Sequence, residues 1–313
     1  DFDDLMGAGD SVLKSNVEAF ALSAGPGFTA AYIEIENFAD WPAALEIALE
    51  QFTPEMVGVC MPVSSQQDLS DAQTTALEQL TKLEMPVTIF IGTPAITGVQ
   101  SWTEYLPAQN ALTDGLDLDR VVPVPDLNGN NIGALIGRLA KPHLTVADSP
   151  CRVETGADNA LGPFKVDKDG KAITLAVLEA LHNNSRLTVP MWYTNVEGIY
   201  WTDCVTLNKT TGDFVLIENR RVIDKAHRLI RPMTINLIGN RAFNSTETSI
   251  EFYKSFLADP LRLMARSSEI QEPDSEAIQI QWIDRFKVKI FYKVTPFNSP
   301  KEIINNLFLD LSI

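Results

Sequence analysis

The stretch MVGVCMPVSSQQDLSDAQTTALEQLTKLEMPVTIFI, Met56–Ile91, decides the fold class. Met56–Met61 is a short apolar run ended by Pro62, which reads as a buried strand. Ser65 followed by Asp68 forms a capping-box pattern, after which Leu69, Ala72, Ala76, Leu80 and Leu83 recur at helical spacing. Val87–Ile91 is apolar again. Two buried strands joined by one amphipathic helix make a β-α-β unit, and such a crossover sets its strands parallel. The flanking sequence continues the alternation. Upstream, Thr29–Glu34 reads as a strand, and Asp40 as the N-cap of a helix with Trp41, Leu45, Ala48, Leu49 and Phe52 on one face and Pro42 in its first turn. Downstream come a helix at Trp102–Leu112, a strand at Arg120–Val124 and a helix at Asn131–Leu139. This predicts an α/β fold with a mostly parallel sheet covered on both faces.

Past residue 144 the pattern changes. Asp167-Lys168-Asp169-Gly170 is a turn signal, and Ala172–His182 reads as a short helix. Pro190–Thr194, Ile199–Leu207 and Asp213–Ile217, separated by turn chemistry, predict an antiparallel meander. Ile223, Ala226, Ile230, Met233 and Leu237 then define a long amphipathic helix that Pro232 should kink. Thr246–Met264 is a second helix, interrupted by Pro260. Ile278, Ile280 and Trp282 alternate with polar residues. Phe286, Val288, Ile290, Tyr292 and Val294 alternate with Lys287, Lys289, Phe291 and Lys293, the pattern of a half-buried strand with a basic outer face. The apolar Leu307, Phe308 and Leu309 near the end call for a partner surface, either in the chain's own sheet or in a neighbouring subunit by strand addition.

Composition narrows the function. The 313 residues are 45% hydrophobic and 21% charged, the balance of a globular chain rather than a disordered one. Lys+Arg number 25 against 41 Asp+Glu, a formal charge of −16, which opposes direct nucleic-acid binding. No run approaches the ~18 apolar residues of a membrane span, so membrane insertion is not expected. The sequence starts at Asp1, with neither Met nor a signal-like segment. Cys60, Cys151 and Cys204 lack metal-type spacing and read as thiols of a reducing compartment.

Residues that carry chemistry are sparse. His143, His182 and His227 stand apart from one another and from the cysteines, and neither an activated-serine elbow nor a phosphate loop occurs. Gly7-Ala8-Gly9 lacks the third glycine and the preceding strand of a dinucleotide fingerprint. The acidic groups Asp1/Asp3/Asp4, Asp117/Asp119 and Asp167/Asp169 read as solvated turns. The last opens like an EF-hand but has Leu178 where the loop's twelfth residue should be Glu. No catalytic residue, cofactor or metal site is expected. An α/β enzyme or small-molecule binder would have to use the strand-end loops Asp126–Asn130 and Thr93–Gly98. The charged run Glu218-Asn219-Arg220-Arg221, with Asp224 and Lys225, reads as a salt-bridged surface or an inter-subunit patch.

Several strings together are distinctive. They are Ala147-Asp148-Ser149-Pro150 with Arg152-Val153 and Thr155-Gly156, then Gly198-Ile199-Tyr200-Trp201-Thr202-Asp203 and Ile217–Ala226. Arg241-Ala242-Phe243-Asn244-Ser245-Thr246, Pro260-Leu261-Arg262-Leu263-Met264 and Asn298-Ser299-Pro300-Lys301-Glu302-Ile303 complete the set. Over essentially its whole length the chain resembles the tail sheath proteins of contractile bacteriophages, in the Mu-like prophage branch once described only as a family of unknown function. The resemblance implies an outer α/β domain at 1–212, with a β-rich portion at about 144–212. A smaller α+β inner domain at 213–313 would face the tail tube and end in an extended strand arm, 277–313. An N-terminal arm would precede Asp1, outside this sequence. Phe286, Val288, Ile290, Tyr292, Val294, Leu307, Phe308 and Leu309 would form the inter-subunit strand, and Arg262, Arg266 and Glu269 would face the tube. Hinges near Pro273 and Pro296–Pro300 would let the domains reorient. The implied partners are the chain itself in stacked hexameric rings, the tail tube, and the baseplate and tail terminator proteins. Assembly would take place in the host bacterial cytoplasm and the product would be a virion tail. A pyocin-like particle or secretion system would use the same physics.

Overall fold

The computed structural model describes residues 6–7, 9–301 and 303. Helix α1 (Val12–Ala24) has no clear signal in the apolar periodicity; Ser11 caps it by accepting from the Lys14 amide. The strand expected at Thr29–Glu34 does not form. That segment runs without a ladder partner, with Phe28, Tyr32 and Ile33 exposed. Next, α2 (Trp41–Leu49) has Pro42 in its first turn and buries Trp41, Leu45 and Leu49, one residue per turn. Asp40 precedes it without a capping bond from its side chain.

The central unit follows the sequence closely. Its elements are β1 (Met56–Pro62), α3 (Gln66–Leu83), β2 (Thr88–Thr93), α4 (Trp102–Thr113), β3 (Val121–Pro125) and α5 (Asn131–Leu139). The three strands are parallel in the order β1-β2-β3. The Ser65–Asp68 capping box opens α3 with both reciprocal bonds in place. Strand alternation divides the core into two layers. Ile89, Ile91 and Val121 pack with Trp41, Leu45, Leu69, Ala72 and Ala76 under α2 and α3. Phe90, Val122 and Val124 pack with Ala19, Ile132, Leu135 and Leu139 under α1 and α5. Burial on both faces makes β2 a continuous apolar run instead of an alternating one.

α1 crosses α5 at very close range because of two glycines. A Cβ on Gly133 would lie 1.9 Å from the Asn16 carbonyl oxygen, and one on Gly137 would lie 2.5 Å from that of Phe20. In the space this leaves, the Gly133 amide donates to Asn16 Oδ1 at 2.8 Å.

The expected meander is reduced to fragments. After α6 (Leu175–Asn183) come β4 (Pro190–Met191) and β5 (Tyr200–Trp201), paired antiparallel, with single bridges at Leu118–Leu207 and Val205–Leu216. Threonine hydroxyls take over bonds that a regular ladder would make: Val189 N donates to Thr202 Oγ1 at 3.1 Å and Val205 N to Thr188 Oγ1 at 3.2 Å. Ile217, read as the end of a strand, instead begins the long helix α7 (Ile217–Ile235). The second helix is α8 (Glu247–Arg266), and both helices run through their internal prolines, Pro232 and Pro260.

A second core joins Val222, Ala226, Ile230, Tyr253, Leu257, Leu261, Met264 and Ile278 with Val146 from the first half. On it lies an antiparallel hairpin, β6 (Ile278–Trp282) and β7 (Val288–Tyr292). The first part of the expected arm, from Ala277 to Val294, folds back on itself as this hairpin within the single chain. Val288, Ile290, Tyr292 and Val294 are half-buried against the chain's own second core. Phe286, placed by its alternation on the same face, sits in the connecting turn and is 92% exposed. The turn takes Phe286 out of register because Asp284 Oδ1 accepts from both the Phe286 and Lys287 amides. Leu307, Phe308 and Leu309 lie outside the described residues.

Candidate functional site

The two ends of the parallel sheet differ sharply. At the carboxyl ends, where α/β proteins commonly bind ligands, the Asp126–Asn130 loop is closed on itself. Asn131 Oδ1 accepts from the Leu127 and Asn128 amides, Asp126 Oδ1 from Gly129 N, and Asp126 Oδ2 from Lys165 Nζ at 2.7 Å. Asn128 and Asn130 donate to the Gly162 and Ala160 carbonyls. The Thr93–Gly98 loop is pinned by Tyr105 Oη and Gln109 Nε2, both donating to the Pro94 carbonyl. The cleft between Val12, Gly92, Thr93 and Gly129 holds about 30 Å³, against the ~300–1,000 Å³ of a small-molecule site. The geometry therefore does not favour a binder of small molecules at these loops.

The other acidic pairs serve turns and joints. Asp117 Oδ1 accepts from Asn208 Nδ2 and Lys209 N, and Asp167 Oδ1 from the Asp169 and Lys171 amides. Among the described residues no group of three or more His, Cys, Asp or Glu could hold a metal ion, and no helix is long and apolar enough to cross a membrane.

At the amino ends of the strands lies a buried ionic joint. Side chains of α7 bond there to residues that stand just before each of the three strands. Arg120, just before β3, grips Asp224 with two bonds of 2.9 and 3.1 Å and donates to the Val87 carbonyl before β2. Arg220 bridges Asp224 and Asp119 and stacks on Phe214. Arg221 donates to Glu55, before β1, at 2.6 Å and to the Leu139 carbonyl. Arg228 donates to the Pro86 carbonyl. Burial works to raise the Glu55 carboxyl, but Arg221 outweighs it and the group ends below its usual range. Burial also lowers Arg220 and Arg228. The charged run read as a surface or inter-subunit patch is thus an internal joint, since Glu218, Arg220, Arg221 and Asp224 are all buried.

Of the residues expected to face a tube, Glu269 is corrected: it is 3% exposed and accepts from Lys225 Nζ at 2.5 Å. Arg266 is exposed, whereas Arg262 is held by Asp259 on the surface of α8. The hairpin is a two-stranded sheet, so among the described residues the outer edges of β6 and β7 have no strand alongside. Sequence reasoning missed Arg120 and Arg138, both wholly buried. The signal for Arg120 was there, as an arginine directly abutting the apolar Val121–Val124 run.

The comparisons with known proteins match this architecture. The DUF2586 N-terminal domain matches residues 1–205, and the DUF2586 C-terminal domain residues 213–312. A protein of Haemophilus phage HP1 (strain HP1c1), provisionally named its tail sheath protein, is 38% identical across 99% of this chain and 87% of its own length. The chain belongs to the DUF2586 family of phage tail sheath proteins. Two solved sheath structures carry the same fold. The sheath of an extracellular contractile injection system, PVC, in its contracted state has a TM-score of 0.66 at 14% identity, over 99% of this chain and 84% of that one. The sheath tail protein Lin1278 of Listeria innocua has a TM-score of 0.57 at 12% identity, over 87% of this chain and 59% of that one. In this sheath protein the α7 joint ties together two segments that the family models recognise separately. A phage tail sheath protein is a structural component of a virion.

Proposed function

We propose that the chain polymerises as stacked hexameric rings around a phage tail tube and that the resulting sheath contracts to drive the tube through the host envelope during genome ejection. The observation that carries this reading is the β6–β7 hairpin, a sheet that has two strands among the described residues and turns one face to solvent. The core beneath holds one face of the hairpin, and its open edges are templates for further strands. Strands added from neighbouring subunits, including the segment with Leu307, Phe308 and Leu309, would complete it. Main-chain bonds made this way hold neighbours together while the subunit bodies change their packing, as a cooperative switch between two assembled states requires.

Residues 213–313 then form the inner, tube-facing part and residues 1–212 the outer part. Contacts to the tube must break during contraction, which suits charged groups such as Arg262 and Arg266 better than an apolar patch. Assembly in the host cytoplasm, together with the tube, baseplate and tail terminator proteins, completes the picture. The likeness to an injection-system sheath makes a pyocin-like particle the second reading, and the HP1 relative favours the phage tail.

The test is negative-stain electron microscopy of the purified full chain over a range of concentration and salt, alone and with its tube protein. Hollow cylinders or stacked rings are expected. Dispersed particles under every condition, tube protein included, would overturn the proposal.

A further inference from the structure

Lys301 stands where the described chain ends, and its side chain turns inward to the junction of the two halves. Its Nζ donates to Asp203 Oδ1 at 3.0 Å and to Glu218 Oε1. The acceptors come from different segments: Asp203 follows β5 in the first half, and Glu218 lies in the first turn of α7 in the second. Their side chains are 12% and 8% exposed. Ser149 adds a hydroxyl bond to Asp203 Oδ1 at 2.5 Å, and the Cys151 thiol lies 4.0 Å from the same oxygen. One ammonium thus serves a buried carboxylate, Glu218, and a largely covered one, Asp203, and among the described residues Glu218 Oε2 has no hydrogen-bond partner. An acidic pair so enclosed is costly unless a cation is held beside it.

We infer that Lys301 is a latch that fastens the root of the C-terminal segment across the junction of the two halves, so that a pull on that segment is delivered to the first turn of α7 and the ionic joint behind it. This deepens the sheath reading and rests on it for the source of the pull. The exit point of the last residues is thereby set by a specific ion triad instead of by general packing. Burial and the neighbouring Asp203 raise the Glu218 carboxyl above its usual range. Glu218→Gln keeps the size and shape of the side chain and removes one of the two carboxylates that hold the lysine.

The test is amine acetylation of the unassembled full chain, mapped by mass spectrometry, with Lys171 (side chain 70% exposed) as internal reference. Lys301 should react on the order of tenfold more slowly than Lys171, and Glu218→Gln or Asp203→Asn should remove most of that difference. Trypsin cleavage after Lys301 should accelerate in the same variants, with cleavage at the exposed Arg285 turn unchanged as the control for folding. Equal labelling of Lys301 and Lys171 in the unaltered chain, or no response to either variant, would overturn the latch. Electron microscopy of the same preparations separates the two ideas. Cylinders with a freely reacting Lys301 would refute the latch and leave the sheath reading intact. A protected lysine released by the variants, in a chain that forms no cylinders with or without its tube protein, would do the reverse.

Discussion

Asp224 accepts from Arg120 and Arg220 at once, with almost no solvent contact. Removing the carboxylate leaves the buried Arg120 without its counter-charge, facing an Arg220 that keeps only Asp119. Asp224→Ala should therefore cost about 3–5 kcal/mol of stability, read as a lowered midpoint in urea unfolding; a loss below ~1 kcal/mol would place the pair among ordinary surface bridges. Glu55 gives a pH dependence with a definite sign. Its folded-state carboxyl lies below the usual 4.5, so the unfolded chain takes up the proton first as pH falls. Its contribution is present above about pH 4.5 and is lost on acidification through the lower folded value. Glu55→Gln should flatten the decline of unfolding free energy below that pH, and an unchanged slope would contradict the assignment. The residue identities were legible in the sequence but their roles were not. A run such as Glu218-Asn219-Arg220-Arg221 has the composition of a solvated face, and only the packing of α7 against the strand starts at Glu55, Pro86 and Arg120 shows that it is internal.

Among the elements, the α1–α5 crossing depends on absent side chains. A methyl group on Gly133 gains about 1 kcal/mol of helix propensity, but it would sit 1.9 Å from the Asn16 carbonyl oxygen. The backbones must then separate, and the packing loss outweighs the propensity gain. Gly133→Ala should destabilise the chain by roughly 1–3 kcal/mol, whereas Gly98→Ala, with nothing within 4 Å, should be nearly neutral. Parallel thermal melts decide it. The hairpin supplies a second case. Val288 opposes Trp282 at the start of β7, and Val288→Pro removes a donor and fixes the backbone there. If the hairpin completes its sheet with strands from neighbours, this variant should abolish polymerisation while far-UV circular dichroism keeps most of its helical signal. Ordered cylinders from a folded Val288→Pro chain would refute strand addition at this sheet. Element types in the central unit were legible because period and capping agree, as at Ser65–Asp68. The strand at Thr29–Glu34 failed because a single apolar run cannot specify a neighbour to pair with.

For the molecule as a whole, the two segments share their cores. Ile217 of the second packs in the layer beneath α5, and Val146 of the first packs among the residues of α7 and α8. With the ionic joint between them, neither core is complete alone. Calorimetry should give one transition with matching calorimetric and van't Hoff enthalpies. Two resolved transitions would mean that the joint couples the halves only weakly. A subunit body that unfolds as one unit would suit the proposed contraction by re-packing, in which movement would be confined to segments linking one copy to the next.

Local information in the sequence determined the parallel β-α-β core, the two long C-terminal helices, the alternation of β6 and β7, and, through strings of residues rather than any catalytic motif, the sheath family. Those features depend on neighbours three or four residues apart, or on periods of two, and a linear reading can reach them. Tertiary structure alone decided that the charged start of α7 is buried, that Glu269 is inside, that the strand after Ala277 turns back on its own chain, and that Lys301 reaches Asp203 and Glu218. The three ionic contacts set side by side residues 44 to 166 positions apart, and the hairpin, whose strands pair residues 6 to 14 apart, is held by a core drawn from distant helices. Whether a charge faces water or a counter-charge is settled by that distant packing, because desolvation and pairing energies depend on the enclosing surface and not on the residue's neighbours in sequence.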